Sequence, residues 1–575
     1  MAISSSVPVI QDRGKSPDND PDWASSEATR YLCVGVYLDR DFRRQVLHEV
    51  LEAGHRAVAP SYGIDIVPVL RHAIQAQRRE FLRNLAFVVV LLVMLFIDST
   101  AVIAGLLLAQ SLSQIVRAWK AFAAGRILRG FMHAFVAMLL NFLTLVFLNG
   151  DAQLANSTDG VLGSGQGTGT EGALKASVFV FLVLWGLAWA VRLVELLVNH
   201  HTILTELSPG RFVPQLAPRE PERHAGRVAF LADAQKGNVT YYSRSVADRP
   251  FVGSGFLEQP WHLAIPLRPR SEGGPSGDEP ADTPAPSPGE LSPQTLYRRM
   301  RLAMLSLADP NTPAGRRIVG LSMQPRLFVP GLLRRQDGLL DVAQRLPRHH
   351  LSRAELDSFE QYDRNRATEY LTIRIGAWEG ELEVTVFLYF SVRGETLYME
   401  FVGAQLPSIR ELYHSADSYQ QLEPAVYLQL ARSALGGLPM KLLRSPLDFV
   451  RSTRDRVREQ LTYRGEIQEI GNRLAFDYGV RTSVRELGAE NTSEQFFQRL
   501  DGQRYIYLVE RRVRDAVAEV LEEFGYSNEE FIERTTTIIN NSTQISGGTF
   551  NASSLAVGAN SVAETTAPNR GGGAS

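Results

Sequence analysis

By type and spacing, the residues best suited to chemistry are two adjacent histidine pairs, a serine beside a glycine, and a glycine-rich run. His200-His201 and His349-His350 offer imidazoles, but neither pair has a third ligand at metal spacing, so they read as surface or interfacial histidines. Gly320-Leu321-Ser322-Met323-Gln324 lacks the second glycine of a nucleophile elbow. The run 163–169 has no Lys-Ser/Thr ending and follows no strand, so it is not a phosphate loop. Phe251-Val252-Gly253-Ser254-Gly255, with Pro260-Trp261 nearby, reads as a turn between two strands; it offers a binding loop but specifies no ligand. The sequence thus predicts no catalytic residue, no cofactor and no metal, and a protein that is not an enzyme.

A second set of polar residues lies inside apolar stretches. Blocks 85–109, 131–148 and 178–198 each approach the length of about 20 residues that crosses a bilayer. The first is interrupted by Asp98-Ser99-Thr100. A single helix would bury Asp98 at a cost of roughly 2.5–3.5 kcal/mol. A tight hairpin with its tip at Asp98 avoids that cost and gives four spans, 81–97, 101–116, 127–149 and 175–198. Basic flanks agree with the hairpin. Arg79 and Arg83, with Arg71 and Arg78, precede the first span, and Arg117, Lys120, Arg126 and Arg129 lie between the second and third. The 150–174 loop carries Asp151, Asp159 and Glu171 and no arginine, so it should face outward, with both chain termini cytoplasmic. His133, Asn141, Arg192 and Glu195 could mark an ion path, but interhelical hydrogen bonds and an Arg192–Glu195 ion pair explain them better. The Arg117–Arg129 region, with Trp119 and Phe122, also suits an interfacial helix on an anionic leaflet.

Bulk properties confine the apolar material to this region. A mean hydropathy of -0.09 with 21% charged residues excludes a chain that is membrane from end to end. A net charge of -2 over 575 residues gives no global sign of a nucleic-acid partner. The single cysteine, Cys33, can form no internal disulfide.

Around the 81–199 membrane bundle the chain divides by pattern. Residues 1–27 read as a disordered tail, and 28–80 as a small cytoplasmic α/β segment with a buried strand at 31–38. Within that segment a helix at 40–53 precedes a long helix capped by Asp65, with no breaker before residue 85. Residues 200–267 read as β-rich, with strands at 239–244 and 262–267. The Pro/Gly/acidic stretch 268–293 is either a linker or a loop inserted in one domain. Residues 294–440 form an α+β domain whose centre is a three-strand antiparallel meander over 370–402, turning at Glu379-Gly380 and Arg393-Gly394 with one dry face. Residues 441–534 read as helical, ending in a short helix that Ser527 and Glu530 would cap. The tail 535–575 is low in charge and β-prone or disordered; Ile538, Ile539, Ile545 and Phe550 would serve self-association into a homo-oligomer.

The expected fold is therefore an α-helical transmembrane bundle of about four spans plus cytoplasmic α+β domains with an antiparallel β-meander. The segments Asn238-Val239-Thr240-Tyr241-Tyr242, Pro250-Phe251-Val252-Gly253-Ser254-Gly255, Trp378-Glu379-Gly380-Glu381-Leu382 and Leu397-Tyr398-Met399-Glu400-Phe401 resemble a group of multipass membrane proteins of streptomycetes and other actinobacteria. That resemblance implies a lineage and no site residues. A role that suits its layout is a membrane dock for a large cytoplasmic assembly, such as a phage-tail-like contractile injection particle. The expected partners are the lipid bilayer and a cytoplasmic protein or assembly, in a non-enzymatic anchor at the cell membrane. The alternative is a small-solute transporter or channel subunit.

Overall fold

The computed structural model describes residues 26–97, 99–159, 169–270, 290–313, 317–334, 338–341, 346–360, 367–419, 423–436, 438–490 and 495–545. Its first helix, α1 (Glu27–Leu38), is capped by Ser26, whose hydroxyl accepts from the Thr29 amide at 3.1 Å. The strand expected at 31–38 is thus a helix. A short unbroken apolar run does not reveal its period. Here every residue from Ala28 to Tyr37 is buried, as in a helix enclosed on all sides. Next come α2 (Arg40–Val46), extended by a π turn (Leu47–Leu51), and α3 (Ile66–Ile97). Segment 28–80 is therefore helical rather than α/β. Asp65 caps α3 as expected, accepting from the Val67 amide at 2.9 Å. α3 then runs unbroken from the α1–α2 core into the apolar stretch.

Three more long helices follow: α4 (Ser99–Ala123), α5 (Ile127–Asp159) and α6 (Gly169–Glu206). The break between α3 and α4 falls at Asp98, which itself lies outside the described residues, as does most of the glycine run 163–169. α5 and α6 extend into 150–174, where a longer loop was expected. Among the described residues, three helices are long and apolar enough to cross a membrane: Ile66–Ile97, Ile127–Thr144 and Leu182–Glu206. This is consistent with a membrane location.

The remaining chain is one mixed structure. Its elements in order are α7 (Glu222–Ala234), β1 (Val239–Tyr242), β2 (Phe256–Pro266), α8 (Pro293–Ala308), β3 (Leu321–Pro330), β4 (Leu332–Arg334), β5 (Leu340–Asp341), β6 (Leu346–Pro347), α9 (Arg353–Glu360) and β7 (Thr368–Ala377). Then come β8 (Leu382–Arg393), β9 (Thr396–Leu406), α10 (Glu411–His414), α11 (Pro424–Leu435), α12 (Leu438–Asn472), β10 (Ala475–Asp477), α13 (Val484–Leu487), α14 (Phe496–Glu523) and α15 (Glu529–Ile545). Segment 200–267, expected to be β-rich, carries the end of α6 and all of α7 beside its two strands.

Six strands pair in the order β1-β3-β7-β8-β9-β2, with β1 parallel to β3 and the other neighbours antiparallel. The expected meander is its β7-β8-β9 centre, and the chain turns through positive φ at Glu379, Gly380 and Gly394. Both faces are dry, where one was expected. Val384, Val386, Leu388 and Phe390 pack with Met300 and Met304 of α8 and Val509, Val513 and Val517 of α14. On the opposite face Phe387 stacks on Phe251 at 4.3 Å, beside Phe328 and Tyr370. An aromatic cluster thus replaces the expected solvent face.

This packing joins segments that the sequence separates. β2 and α8 lie on either side of 268–293 yet share one core, so that stretch is an insertion within one domain. α14 covers the sheet, so 441–534 is not a separate helical region. α15 continues to Ile545, so Ile538, Ile539 and Ile545 lie on a helix rather than a β-prone tail. Phe550 and the rest of the tail, like residues 1–25, lie outside the described residues.

Candidate functional site

A dense set of charged contacts surrounds the middle of α3, where its polar first half meets its apolar second half. Glu80 is the hub. Arg40 of α2 reaches it at 2.8 Å, Arg83 at 3.3 Å, and Arg43 also bonds to it. Arg83 crosses to Glu195 of α6 at 2.6 Å, and Glu195 also holds Arg192. Arg79 donates to Asn199 (3.2 Å) and Thr202 (2.9 Å) of α6. On the other side Arg40 meets Asp448 of α12 at 3.5 Å, and Arg44 approaches Asp455 at 3.8 Å. Four helices distant in sequence are tied into one collar. Burying one partner of such a pair without the other is costly, so the pairs specify this arrangement.

Within the collar lies a cavity of about 100 Å³. Arg40, Arg43, Arg44 and Arg451 line it against Glu52, Glu80, Asp448 and Asp455. The two signs balance, and most of these groups already pair with one another, so the arrangement suits a structural lock better than an ion site. Asn84, which accepts from Arg83 at 2.8 Å and 3.1 Å, closes its wall.

A second junction ties the N-terminal helices to the sheet. Arg30 is almost fully buried; it bonds Glu27, reaches Asp417 at 2.7 Å, and donates to the Leu207 carbonyl at 3.1 Å just past α6. Tyr31 donates to Asp417 at 2.6 Å. Asp39 receives Arg410 at 2.6 Å and Tyr413 at 3.1 Å. Burial alone would raise the Asp39 carboxyl, but bonds from the Phe42 amide and Tyr413, with the charge of Arg410, hold it below its ordinary value. His414 lies 3.2 Å from Glu381. Burial works against the imidazolium, yet the bond and charge of Glu381 raise its pKa. The loop between β1 and β2 forms a third joint. Gly253 and Gly255 have φ of 99° and 88°, and their amides donate to one Glu486 oxygen at 2.8 and 3.3 Å. The loop read as able to bind a ligand is therefore occupied by the chain's own carboxylate, whose pKa burial raises.

Of the residues singled out in the sequence, Arg79 and Arg83 are collar members. Arg117, Lys120, Arg126 and Arg129 are all exposed, on the end of α4, the connection and the start of α5. His133 and Gln114 share an interhelical hydrogen bond of 2.8 Å, and Arg192 pairs with Glu195 as expected. His200 stacks on Tyr419 at 4.6 Å, His349 makes a T-shaped contact with Phe230, and Ser322 of β3 pairs with Arg374 of β7. Among the described residues no group of three or more His, Cys, Asp or Glu could hold a metal ion.

Asp39, Glu80, Asp417 and Asp448 were not foreseen, because their partners lie tens to hundreds of positions away. One joint was legible. Ser483-Val484-Arg485-Glu486 has the S-x-x-E form of a capping box, and both of its bonds are present.

No curated protein and no solved structure matches the chain. One family does, described as an AbeC-like domain, over residues 260–552. The match begins inside β2 and takes in α8, the central strands and α10 to α15, while β1 of the same sheet lies before it. It covers half of the chain, and it contributes the Asp448, Asp417 and Arg410 contacts of both junctions, so the chain belongs to the AbeC-like domain family.

Proposed function

We propose that this protein is a non-enzymatic integral membrane anchor whose AbeC-like region recruits or senses a cytoplasmic protein partner. The observation that carries the reading is the collar. α3 passes without a break from the soluble core into an apolar stretch, and charges from α2, α6 and α12 fix it there. A join of that kind suits transmission of position or load between membrane and soluble part. In this reading α3, α4, α5 and α6 form four spans with both termini cytoplasmic, as the basic flanks favour. The large-assembly form of the partner, a contractile injection particle, comes from the sequence resemblance.

An exposed apolar patch on the AbeC-like region offers a place for such a partner. Phe496, Phe497 and Leu500 at the start of α14 lie with Trp378, whose indole donates to Asp501 at 3.1 Å. Patches of this kind mark interaction sites when they are contiguous. A photo-crosslinker at Phe497 in the full chain, in native membranes, should capture one defined cytoplasmic partner that a crosslinker at exposed Leu302 does not. Recovery of none, under stressed and unstressed growth, overturns the reading. Reporter fusions after residues 98 and 122 test the spans, and periplasmic activity at 122 rejects four.

A further inference from the structure

α11 and α12 belong to the AbeC-like region, yet they pack where the candidate spans do. Leu438 and Leu442 of α12 are fully buried among Phe87, Val90 and Met94 of α3 and Ala188 of α6. Phe449 stacks on Phe81 at 5.4 Å, and Asp448 meets Arg40 in the collar. As α12 runs forward its partners on α3 run backward, so the helices are antiparallel and the α11–α12 tip climbs alongside α3. α11 climbs beside α6, where Trp189 donates its indole proton to the Ala431 carbonyl at 3.0 Å.

Helix geometry sets the depth. Met94 lies eleven residues beyond Arg83 of the collar, about 16 Å at 1.5 Å per residue. A hydrocarbon core is about 30 Å thick. If Arg83 marks its edge, the tip stands near the middle and does not cross.

Chemistry along the hairpin fits that depth. Its exposed residues include Leu428, Leu435, Leu443, Leu447 and Val450, interspersed with Gln429, Ser433 and three cations. Val89, Leu92, Val93 and Phe96 of α3 are exposed in the stretch beside the tip, where Leu435 and Leu443 are exposed too. Between Pro424 and Leu447 there is no Asp or Glu, and the charges are Arg432, Lys441 and Arg444. Long cations can return their charge to the headgroup layer and suit anionic lipid, whereas carboxylates cannot. At the tip, the Gly436 amide is satisfied by the Arg432 carbonyl at 3.0 Å, as backbone within lipid requires.

We propose that α11–α12 is a re-entrant hairpin seated in the acyl layer of one leaflet, so that the AbeC-like region is itself partly embedded in the bilayer. This rests on the membrane reading above. Its occupant is lipid rather than a protein because the leucines exposed near the tip lie at the depth of the exposed apolar residues of α3.

The test uses the full chain in phosphatidylethanolamine/phosphatidylglycerol vesicles, spin-labelled at Leu435→Cys or Leu428→Cys. Phe96→Cys serves as the span control and Leu474→Cys as the aqueous control. The native Cys33 is fully buried, and the parent chain is the blank. The expected result is an oxygen-to-nickel collision ratio at 435 that approaches position 96, a lower one at 428, which lies nearer the headgroups, and both above position 474. If 435 and 428 match 474 while 96 stays oxygen-rich, the hairpin proposal falls and the membrane reading stands. If 96 also matches 474, both fall.

Discussion

Arg83 of α3 and Glu195 of α6 meet at 2.6 Å with 15% and 10% of their side chains exposed. They lie 112 positions apart, and their bond joins one candidate span to another at the level where apolar sequence begins. Arg83 keeps Glu80 at 3.3 Å when Glu195 is removed, whereas Arg192 loses the carboxylate that holds it. Glu195→Ala should cost on the order of 3 kcal/mol and lower the melting temperature in detergent, while Glu195→Ala with Arg192→Leu should recover part of the loss. An unchanged melt in the single variant would show that the collar holds nothing.

The junction between α1 and α10 should be sensitive to pH in both directions. His414 has its pKa raised by Glu381. Its stabilisation is therefore complete below the ordinary imidazole value and is lost as pH rises through the raised value. Asp39 is held below its ordinary value. Its contribution is present above that value and is lost as pH falls through the lowered one. The contact is predicted to be tightest between roughly pH 4 and 6.5. Melting curves across pH check this: His414→Gln should flatten the alkaline limb relative to the parent and leave the acid limb, and Asp39→Asn the reverse.

Gly255 should tolerate no side chain. Its φ is +88°, and an added Cβ would lie 2.3 Å from the Gln405 carbonyl oxygen across the sheet. Gly125 has φ +70° but open space around it. Gly255→Ala is expected to cost several times what Gly125→Ala does, and the latter about 1 kcal/mol. Equal shifts in thermal unfolding would contradict the β2–β9 packing.

The C-terminal boundary is set by Phe531, which is fully buried in the main sheet core. Phe531→Ala should destabilise by about 3–5 kcal/mol. Truncation after Ile545 should leave the melt unchanged, whereas truncation after Tyr526 removes Phe531 and should give insoluble chain. Loss of homo-oligomers on truncation after Ile545 alone would return self-association to the tail.

Elements whose signal is local were legible. The β7-β8-β9 meander alternates at period two between glycine turns, and α3 has its Asp65 cap and no breaker. α1 was misread because complete enclosure erases periodicity. The collar was half legible. Arg79 and Arg83 stood out by charge against an apolar neighbour, but Glu80 and Asp448 looked like any solvated carboxylates, since nothing local records that α2 and α12 arrive beside α3. The second dry face was hidden for the same reason, because Phe251 that covers Phe387 comes from a loop more than a hundred residues earlier.

Arg30 finds Asp417 only 387 positions later. At ribosomal rates of about 5–20 residues per second, that interval lasts roughly 20–80 s. α1 is made first, yet the α10 contacts that help enclose it are made after every candidate span has emerged. Insertion of those spans must therefore proceed while the apolar α1 waits unfinished, and a nascent-chain chaperone bound to residues 27–38 during that interval would protect the yield of the whole chain.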